Sequence, residues 1–162
     1  MSKKDKKVIK IKLLGDTQMP IKLKKGDWID LCAACDVELR QFESTNIPLG
    51  VCMQLPEGYE ALVAPRSSTF KKYGIIQTNG VGVIDESFCG EEDRWFMPVV
   101  SLREGSIFIP KGTRICQFRI IKKMGKRVKL ERAETLTCLS RGSCGSTGEN
   151  MDDITKQMTE DM

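Results

Sequence analysis

The sequence predicts an all-β fold: a distorted jelly-roll barrel of short strands with one short helix and a flexible C-terminal arm. Short apolar or alternating segments recur along the 162 residues, and turns rich in glycine and proline separate them. No apolar pattern with a helical period continues for more than a few turns. A chain of this length is large enough for one domain with its own core.

The first strand is predicted at residues 8–14. Its isoleucines and Leu13 alternate with lysines, which is typical of a half-buried strand near the edge of a sheet. A weaker segment at 19–25 follows, and then a turn and a short strand within 26–31. Two further short strands are expected at 37–39 and 50–55. A turn at 56–59 joins the second of these to a returning strand at 60–64.

The second half of the chain begins with the one predicted helix. Pro65 ends the preceding strand, the next residues begin a helical turn, and Gly74 ends it soon after. Further strand segments follow at residues 75–78, 97–102, 106–109, around Gln117, and 128–133. Ile115, Gln117 and Arg119 are predicted to share one face of their strand.

The composition excludes several classes of function. The chain has no histidine, so neither a Ser–His–Asp nor a Cys–His catalytic arrangement is available. Cys32 and Cys35 have the spacing of half a zinc site, but no second pair accompanies them, and the seven cysteines are expected to be reduced thiols, mostly in the core. The net charge of +4 owes much to lysines at the start of the chain, so a nucleic-acid-binding face is not expected.

The location follows from similar observations. No apolar run is long enough to span a membrane. The N-terminal lysines precede no apolar signal region, so we expect a cytoplasmic protein.

Residues 79–90, Asn-Gly-Val-Gly-Val-Ile-Asp-Glu-Ser-Phe-Cys-Gly, form the segment that indicates chemistry. The pattern predicts a β-hairpin arm whose glycines let another molecule approach the backbone closely. Asp85 ends an apolar strand, where a carboxylate is poorly solvated. A carboxylate with a raised or poised pKa at this position could take a proton from water.

This segment resembles the third motif of the trimeric deoxyuridine triphosphatases (dUTPases), and four other segments resemble the remaining motifs in the family order. Residues 26–31 are similar to the first motif in altered form, and Pro-Arg-Ser-Ser at 65–68 resembles the second closely. Residues 112–118, with Gln117, resemble the fourth, and the glycine-rich segment 141–148 resembles the fifth. Each motif is short, but their joint order is specific.

The resemblance implies a homotrimer with shared active sites that hydrolyses dUTP to dUMP and pyrophosphate with Mg²⁺. In that family pattern Asp85 activates the attacking water, and Asp30 faces the metal through water. The residues that the resemblance assigns to the substrate read uracil, pack on deoxyribose, hold the phosphates or close over them. They are Asn79, Val83 and Ile84 for uracil, Phe88 for the sugar, Arg66, Ser67, Ser68 and Gln117 for the phosphates, and Arg141, Ser146 and Thr147 for the lid.

Two departures from the family pattern bear on the site. Phe88 stands where the arm usually has tyrosine, so ring packing is kept and a hydroxyl is lost. The fifth motif is short and has Cys144 where a phenylalanine normally caps uracil. This combination resembles a branch from some Gram-positive bacteria and their phages, in which the loop after the arm supplies the capping aromatic. Phe96 is the matching position, and Trp95 lies beside it.

The predicted organisation is a dUTPase-like barrel at 1–140, the lid motif at 141–148 and a disordered acidic tail at 149–162. Two alternatives remain open. A dCTP deaminase, or a bifunctional deaminase-dUTPase, has a related fold, although Val-Ile-Asp argues against the glutamate base expected there. A phage-type regulatory protein that binds a partner such as a repressor would use the same scaffold.

Overall fold

The computed structural model describes residues 6–125 and 128–138. The chain divides into two compact units, residues 1–127 and 128–162. All the described strands and the helix lie in the first unit. In chain order they are β1 (Lys10–Leu13), β2 (Ile21–Lys22), β3 (Ile29–Cys32), β4 (Val37–Arg40), β5 (Ser44–Pro48), β6 (Val51–Gln54), β7 (Tyr59–Pro65), α1 (Thr69–Tyr73), β8 (Ile75–Gln77), β9 (Gly82–Ile84), β10 (Phe96–Ser101), β11 (Ser106–Ile109) and β12 (Arg114–Lys122).

The strands pair antiparallel in four small sheets. The largest has five strands in the order β2-β3-β12-β7-β9, and a three-stranded sheet has the order β5-β10-β8. Two further pairs, β1-β6 and β11-β4, complete the fold. The predicted all-β class with one short helix is confirmed.

The core lies where the inward faces of these sheets meet. Along β10, buried and partly exposed residues alternate, so Met97 and Val99 point inward. Trp95 packs edge-to-face on Phe118 of β12, with ring centroids 5.4 Å apart. This aromatic pair links the largest sheet to the segment that enters β10, and so fixes one wall of the pocket described below.

The helix has only five residues. It ends at Gly74, which has a φ of +66° and donates its N–H to the Phe70 carbonyl at 2.7 Å. Glycine adopts this left-handed conformation without a Cβ penalty. The predicted short helix ended by Gly74 is therefore confirmed. No helix in the described part of the chain is long enough to cross a lipid bilayer.

The predicted hairpin arm at residues 79–90 is wrong. Residues 79–90 contain one strand, β9, which pairs with β7, and residues 85–90 form turns and bends instead of a second strand. β8, just before this segment, pairs with β10 in another sheet. Gly80, with a φ of +64°, turns the chain from one sheet to the other, and its N–H donates to the Gln77 carbonyl. β7 is already paired with β12 along its other edge, so it offers β9 a supported strand partner that an isolated hairpin lacks.

The predicted turn at residues 56–59 also joins strands that lie in two different sheets. Its geometry is as predicted, because Gly58 has a φ of +75° and the Tyr59 N–H donates to the Pro56 carbonyl. However, β6 pairs with β1, and β7 pairs with β12 and β9. The turn thus changes sheets rather than closing a hairpin.

Two further differences concern strand prediction itself. β5 was not predicted, because its Ser-Thr-Asn-Ile-Pro sequence has little apolar pattern, and it pairs along β10. The strand predicted at residues 128–133 is not formed. Leu130 there is 92% exposed, and the segment has no strand partner among the described residues. Alternation favours a strand only where a neighbouring strand supplies the hydrogen bonds.

Gly50→Ala should destabilise the protein by more than the usual cost of alanine in the left-handed region, because a Cβ at Gly50 would lie 2.4 Å from Thr17 Cγ2. Thr17 cannot turn aside freely, since its Oγ1 donates to the Gly50 carbonyl. The matched control is Gly105→Ala, which has a similar positive φ and no atom within 4 Å of the new methyl group. Urea denaturation at one protein concentration measures both, and equal losses would contradict the steric argument.

Candidate active site

A pocket of about 280 Å³ lies along β9. This is close to the lower end of the range for small-molecule pockets, roughly 300–1,000 Å³, which suits a small ligand. β9 contributes one side, the turn before it contributes Asn79, and the start of β10 contributes another side. Its twelve lining residues are Val63, Gln77, Asn79, Gly82, Val83, Ile84, Asp85, Phe88, Arg94, Trp95, Phe96 and Pro98.

Six of the predicted site residues therefore line one pocket. They are Asn79, Val83, Ile84, Asp85, Phe88 and Phe96. Of the two neighbouring aromatic residues, Phe96 is 49% exposed, whereas Trp95 is 1% exposed and belongs to the core. Of these two rings, only that of Phe96 has an accessible surface to offer a ligand.

Asp85 stands at the end of β9 with its carboxylate partly exposed. Lys123 Nζ lies 2.7 Å from its Oδ2, and the Ser87 backbone N–H donates to its Oδ1 at 2.8 Å. The Lys123 ammonium, followed by the Ser87 N–H, holds the pKa of this carboxyl well below its usual range. Of the raised or poised pKa predicted from the sequence, the raised alternative does not hold, because the side chain meets a cation and a donor rather than an apolar wall.

Lys123 joins three segments around this carboxylate. Its Nζ also lies 3.1 Å from Glu86 Oε1, and the Gly58 N–H donates to the other oxygen of Glu86. The Lys123 backbone N–H donates in turn to the Gly58 carbonyl at 2.9 Å. These contacts raise the pKa of Lys123 through Asp85 and then Glu86, so the ion pair is fully charged at neutral pH.

A second cluster of charges centres on Asp30 in β3. Arg66 Nε lies 3.1 Å from Asp30 Oδ1, and one terminal guanidinium nitrogen of Arg114 lies 3.1 Å from Oδ2. Asp30 is only 5% exposed, but the two arginines reach the surface. Two positive groups and one negative group leave a net charge of +1, which suits an anionic ligand.

Gln117 lies directly opposite Asp30 in the β12-β3 pairing, and its Nε2 donates to the Pro65 carbonyl at 3.2 Å. The predicted common face of Ile115 and Gln117 is wrong. The register shifts between Arg114 and Cys116, so Ile115 is an extra residue and enters the core. A bulge of this kind resets the alternation of side chains.

Ser67 and Ser68 follow Arg66 and are exposed. Ser68 is the N-cap residue of α1, and its hydroxyl makes no capping hydrogen bond. Both hydroxyls are therefore accessible next to the arginine cluster. The predicted lid residues Arg141, Ser146 and Thr147 lie outside the described residues.

The donors present suit Mg²⁺ only as an ion that arrives with a phosphate ligand. In residues 6–125 and 128–138 no three carboxylates or thiols lie close enough together to hold a metal. Both Asp30 oxygens already accept from arginine, yet each retains a lone pair for a metal-bound water. Mg²⁺ commonly keeps several waters and is held chiefly by substrate phosphates, so a water-mediated contact to Asp30 is the arrangement that these residues fit.

The chain does not bring its two clusters together. Ile84 pairs with Ala61, and Arg66 lies five residues further along the same segment of chain. At about 3.3 Å per residue, Arg66 is roughly 17 Å from the Ile84 row, and Asp85 lies beyond that row in the opposite direction. Accordingly, none of Asp30, Arg66 and Gln117 lines the pocket.

Sequence reasoning missed three polar residues. Arg114 lies within the fourth motif and could have been found there as a cation. Gln77 stands out as an amide in an otherwise apolar strand. Lys123 carries no local signal, because only the pairing of β12 with β7 places it beside Asp85.

Three comparisons with known proteins agree. The profile of the family described as dUTPase matches residues 28–148. The SPbeta prophage-derived deoxyuridine 5'-triphosphate nucleotidohydrolase YosS of Bacillus subtilis is 56% identical over 141 residues, which cover 86% of this chain and 97% of that protein. The deoxyuridine 5'-triphosphate nucleotidohydrolase of a Hydrogenobaculum strain is 34% identical, covering 88% and 98% of the two chains.

Solved structures give the same fold. A mutant dUTPase of Staphylococcus bacteriophage 80alpha with dUpNHpp superposes with a TM-score of 0.75 at 24% identity, over 88% of this chain and 99% of that one. The dUTPase of Streptococcus mutans superposes with a TM-score of 0.64 at 22% identity, over 69% and 94%.

Lys123→Met should raise the pKa of Asp85 towards the ordinary aspartate range, because the closest cation is removed. Carboxyl-selective NMR titration measures this in the folded protein. A depressed folded pKa stabilises the protein above the unfolded pKa, and this stabilisation is lost as the pH falls through the folded value. The stability difference between wild type and variant should therefore shrink in acid. Lys129→Met, which removes an exposed ion pair with Glu131, is the control. An unchanged Asp85 titration would contradict the assignment.

Proposed function

The chain belongs to the dUTPase family, and on that premise we propose that it hydrolyses dUTP to dUMP and pyrophosphate. The observation that carries the proposal is the pocket on β9, which places the Asp85 carboxylate beside Asn79 and an exposed aromatic ring. The Bacillus prophage relative is named a deoxyuridine 5'-triphosphate nucleotidohydrolase, which agrees with this substrate.

In this proposal Asp85 is the general base. Its depressed pKa keeps it ionised at any physiological pH, so the proton acceptor is always available. One carboxylate oxygen accepts a proton from water as the water oxygen attacks the α-phosphorus, and pyrophosphate leaves with the electrons of the broken P–O bond. The ion pair with Lys123 and the Ser87 N–H fixes the carboxylate, which favours a positioned water.

The pocket is proposed to hold the nucleoside. Asn79, together with the backbone at Val83 and Ile84, reads the uracil edge. Phe96 stacks on the ring, and Phe88 packs on the deoxyribose. Gly82 lines the same pocket, and a Cβ there would lie 3.2 Å from Val63 Cβ and 3.5 Å from Asn79 Nδ2.

The cluster around Asp30 is proposed to hold the phosphates. Arg66 presents its remaining guanidinium nitrogens, Ser67 and Ser68 present hydroxyls, and Gln117 presents an amide. Asp30 would hold Mg²⁺ through water, and the bound ion would neutralise charge on the triphosphate. From the sequence alone, Arg141, Ser146 and Thr147 are proposed to close over the phosphates.

A homotrimer with shared active sites follows as a proposal from the separation of the two clusters. The base must act within a few ångströms of the α-phosphorus, yet Arg66 of the same chain is roughly 17 Å or more along the strand. A second subunit that brings its Asp30 cluster to this pocket resolves the conflict, and a closed cyclic assembly makes every site equivalent.

A cytoplasmic location, where thiols stay reduced, agrees with the six described free cysteines. A phage-type regulatory partner stays a prediction.

Pyrophosphate release from each of the four common deoxynucleoside triphosphates and dUTP, with and without Mg²⁺, tests the reaction. Only dUTP should be turned over at a high rate, and only with the metal. A parallel assay for ammonia separates a dCTP deaminase from a hydrolase. Absence of pyrophosphate release from dUTP would reject the proposal.

Asp85→Asn should lower turnover by about 10²–10⁴, the usual contribution of a general base. Binding of a non-hydrolysable dUTP analogue should persist, because the pocket walls are unchanged. Glu86→Gln is the matched control, since it removes the neighbouring carboxylate from the same lysine without touching the pocket. Turnover of Asp85→Asn near that of wild type would remove Asp85 from its role.

Phe96→Ala should weaken binding or turnover of dUTP by roughly 5- to 150-fold, which corresponds to the 1–3 kcal/mol of a base–aromatic stack. Phe108→Ala removes a similarly exposed ring from β11, away from the pocket, and should change neither. Steady-state kinetics on both variants measures the difference. Equal effects of the two substitutions would exclude stacking by Phe96.

Mixing tests the shared site. Asp85→Asn and Arg66→Ala homotrimers should each be nearly inactive, but co-refolding equal amounts should restore about one quarter of wild-type sites. With shared sites, a site is whole only where one chain keeps Asp85 and the neighbouring chain that completes the site keeps Arg66. As a control, wild type co-refolded with the double variant should also give about a quarter. Self-contained sites predict instead no recovery in the first mixture and about half in the control.

A further inference from the structure

We propose that Gln77 is a positioning residue for base discrimination: it fixes the side-chain amide of Asn79 so that the donor end, Nδ2, faces the base. The inference rests on the proposed function, because it concerns how that pocket separates uracil from cytosine. Gln77 lies just before residues 79–90 and belongs to none of the five motifs.

The orientation begins at a backbone group. Gln77 Nε2 donates to the Val63 carbonyl at 3.1 Å. A carbonyl oxygen only accepts, so the NH₂ end of the Gln77 amide must face Val63. The oxygen and nitrogen of a side-chain amide are assigned from their partners, and here the partner leaves one choice.

The second proton of the same nitrogen carries the orientation to Asn79. Gln77 Nε2 donates to Asn79 Oδ1 at 2.8 Å. Because Nε2 is a donor, the atom of Asn79 that faces it must be the oxygen. The Nδ2 group of Asn79 is thereby left to point elsewhere, and it lies over Gly82 within the pocket lining. The fixed carbonyl of Val63 thus determines, through two amides, which end of Asn79 meets a ligand.

The relay, meaning the two hydrogen bonds from Gln77 Nε2 to Val63 and Asn79, is held in place by the sheets. Gln77 is 4% exposed and is the last residue of β8, where it pairs with Val99. Val63 belongs to β7 in the other sheet and pairs with Gly82. Gln77 Oε1 is buried without a hydrogen-bond partner in the described part of the chain. Turning the amide over would place this oxygen against two other acceptors, the Val63 carbonyl and Asn79 Oδ1. The observed orientation leaves one oxygen without a partner but keeps both hydrogen bonds from Nε2, so it is the more stable of the two.

The chemistry of the pyrimidine edge gives this orientation its consequence. Uracil has a carbonyl oxygen at C4, which accepts from an NH₂ group. Cytosine has an amino group there, which would oppose the Asn79 NH₂ donor to donor. If Asn79 could turn over freely, it would accept from cytosine as readily as it donates to uracil. A site with fixed polar groups rejects the mismatched analogue because those groups are left unpaired.

Gln77→Met tests the inference by keeping the volume while removing both donated hydrogen bonds. The ratio of kcat/KM for dUTP to that for dCTP should fall by roughly 10- to 100-fold, mainly through improved use of dCTP. In an Asn79→Ala background, Gln77→Met should change this ratio no further, since the group it orients is gone. Thr17→Val removes a side-chain hydrogen bond to the Gly50 carbonyl away from the pocket, and should leave the ratio unchanged.

An unchanged ratio in Gln77→Met, or an equal fall with and without Asn79, would overturn the inference while dUTP hydrolysis by the wild type stands. Absence of dUTP hydrolysis by the wild type would instead reject the proposed function. Should Gln77→Met fail to fold, side-chain amide exchange in the wild type decides the matter. Both Gln77 NH₂ protons should be protected from exchange in the free protein, and rapid exchange of that group would overturn the relay.

Discussion

The pairing of β7 between β12 and β9 is the constraint on which the rest of the molecule depends. Seven consecutive residue pairs join β7 to β12, and their inward side chains, including Val63 and Phe118, form the centre of the core. The same strand supports β9 on its other edge. Because β7 continues directly into Arg66 at one end and meets Asp85 near the other, a single run of backbone hydrogen bonds sets the distance between the two clusters of functional groups.

The clusters around Asp30 and Asp85 carry opposite net charges. At Asp30, one buried carboxylate is flanked by two arginines that reach solvent, and the surplus positive charge suits phosphate. At Asp85, one lysine is shared by two carboxylates, and the surplus is negative. A cluster that repels phosphate cannot hold it, and a cluster without a free carboxylate cannot take a proton. The proposed reaction therefore needs both clusters, and the proposed trimer would join them between subunits.

Much of the fold was predictable because local rules agree with the tertiary structure there. The alternating first strand, the helix ended by Gly74, and the turn at Gly58 were found where glycine, proline and period-two patterns dictate local geometry. The errors lie where a partner decides. β5 has almost no apolar pattern and is a strand because β10 pairs with it, and residues 128–133 have the pattern without a strand partner among the described residues. The hairpin predicted at residues 79–90 is absent for the same reason, because its strand β9 pairs with β7 instead of with a neighbouring segment.

The sequence by itself determined the family and the residue types of the site, because five short motifs in fixed order restrict the chemistry more than any one of them. It also excluded histidine-based catalysis outright. Only the tertiary structure decided which aromatic is accessible, that Asp85 has a lowered rather than a raised pKa, and that Gln77 touches Asn79. Each of these depends on neighbours that are distant in sequence, Phe118 for Trp95, Lys123 for Asp85 and Val63 for Gln77. Sheet registers create these contacts, and no local pattern encodes a register.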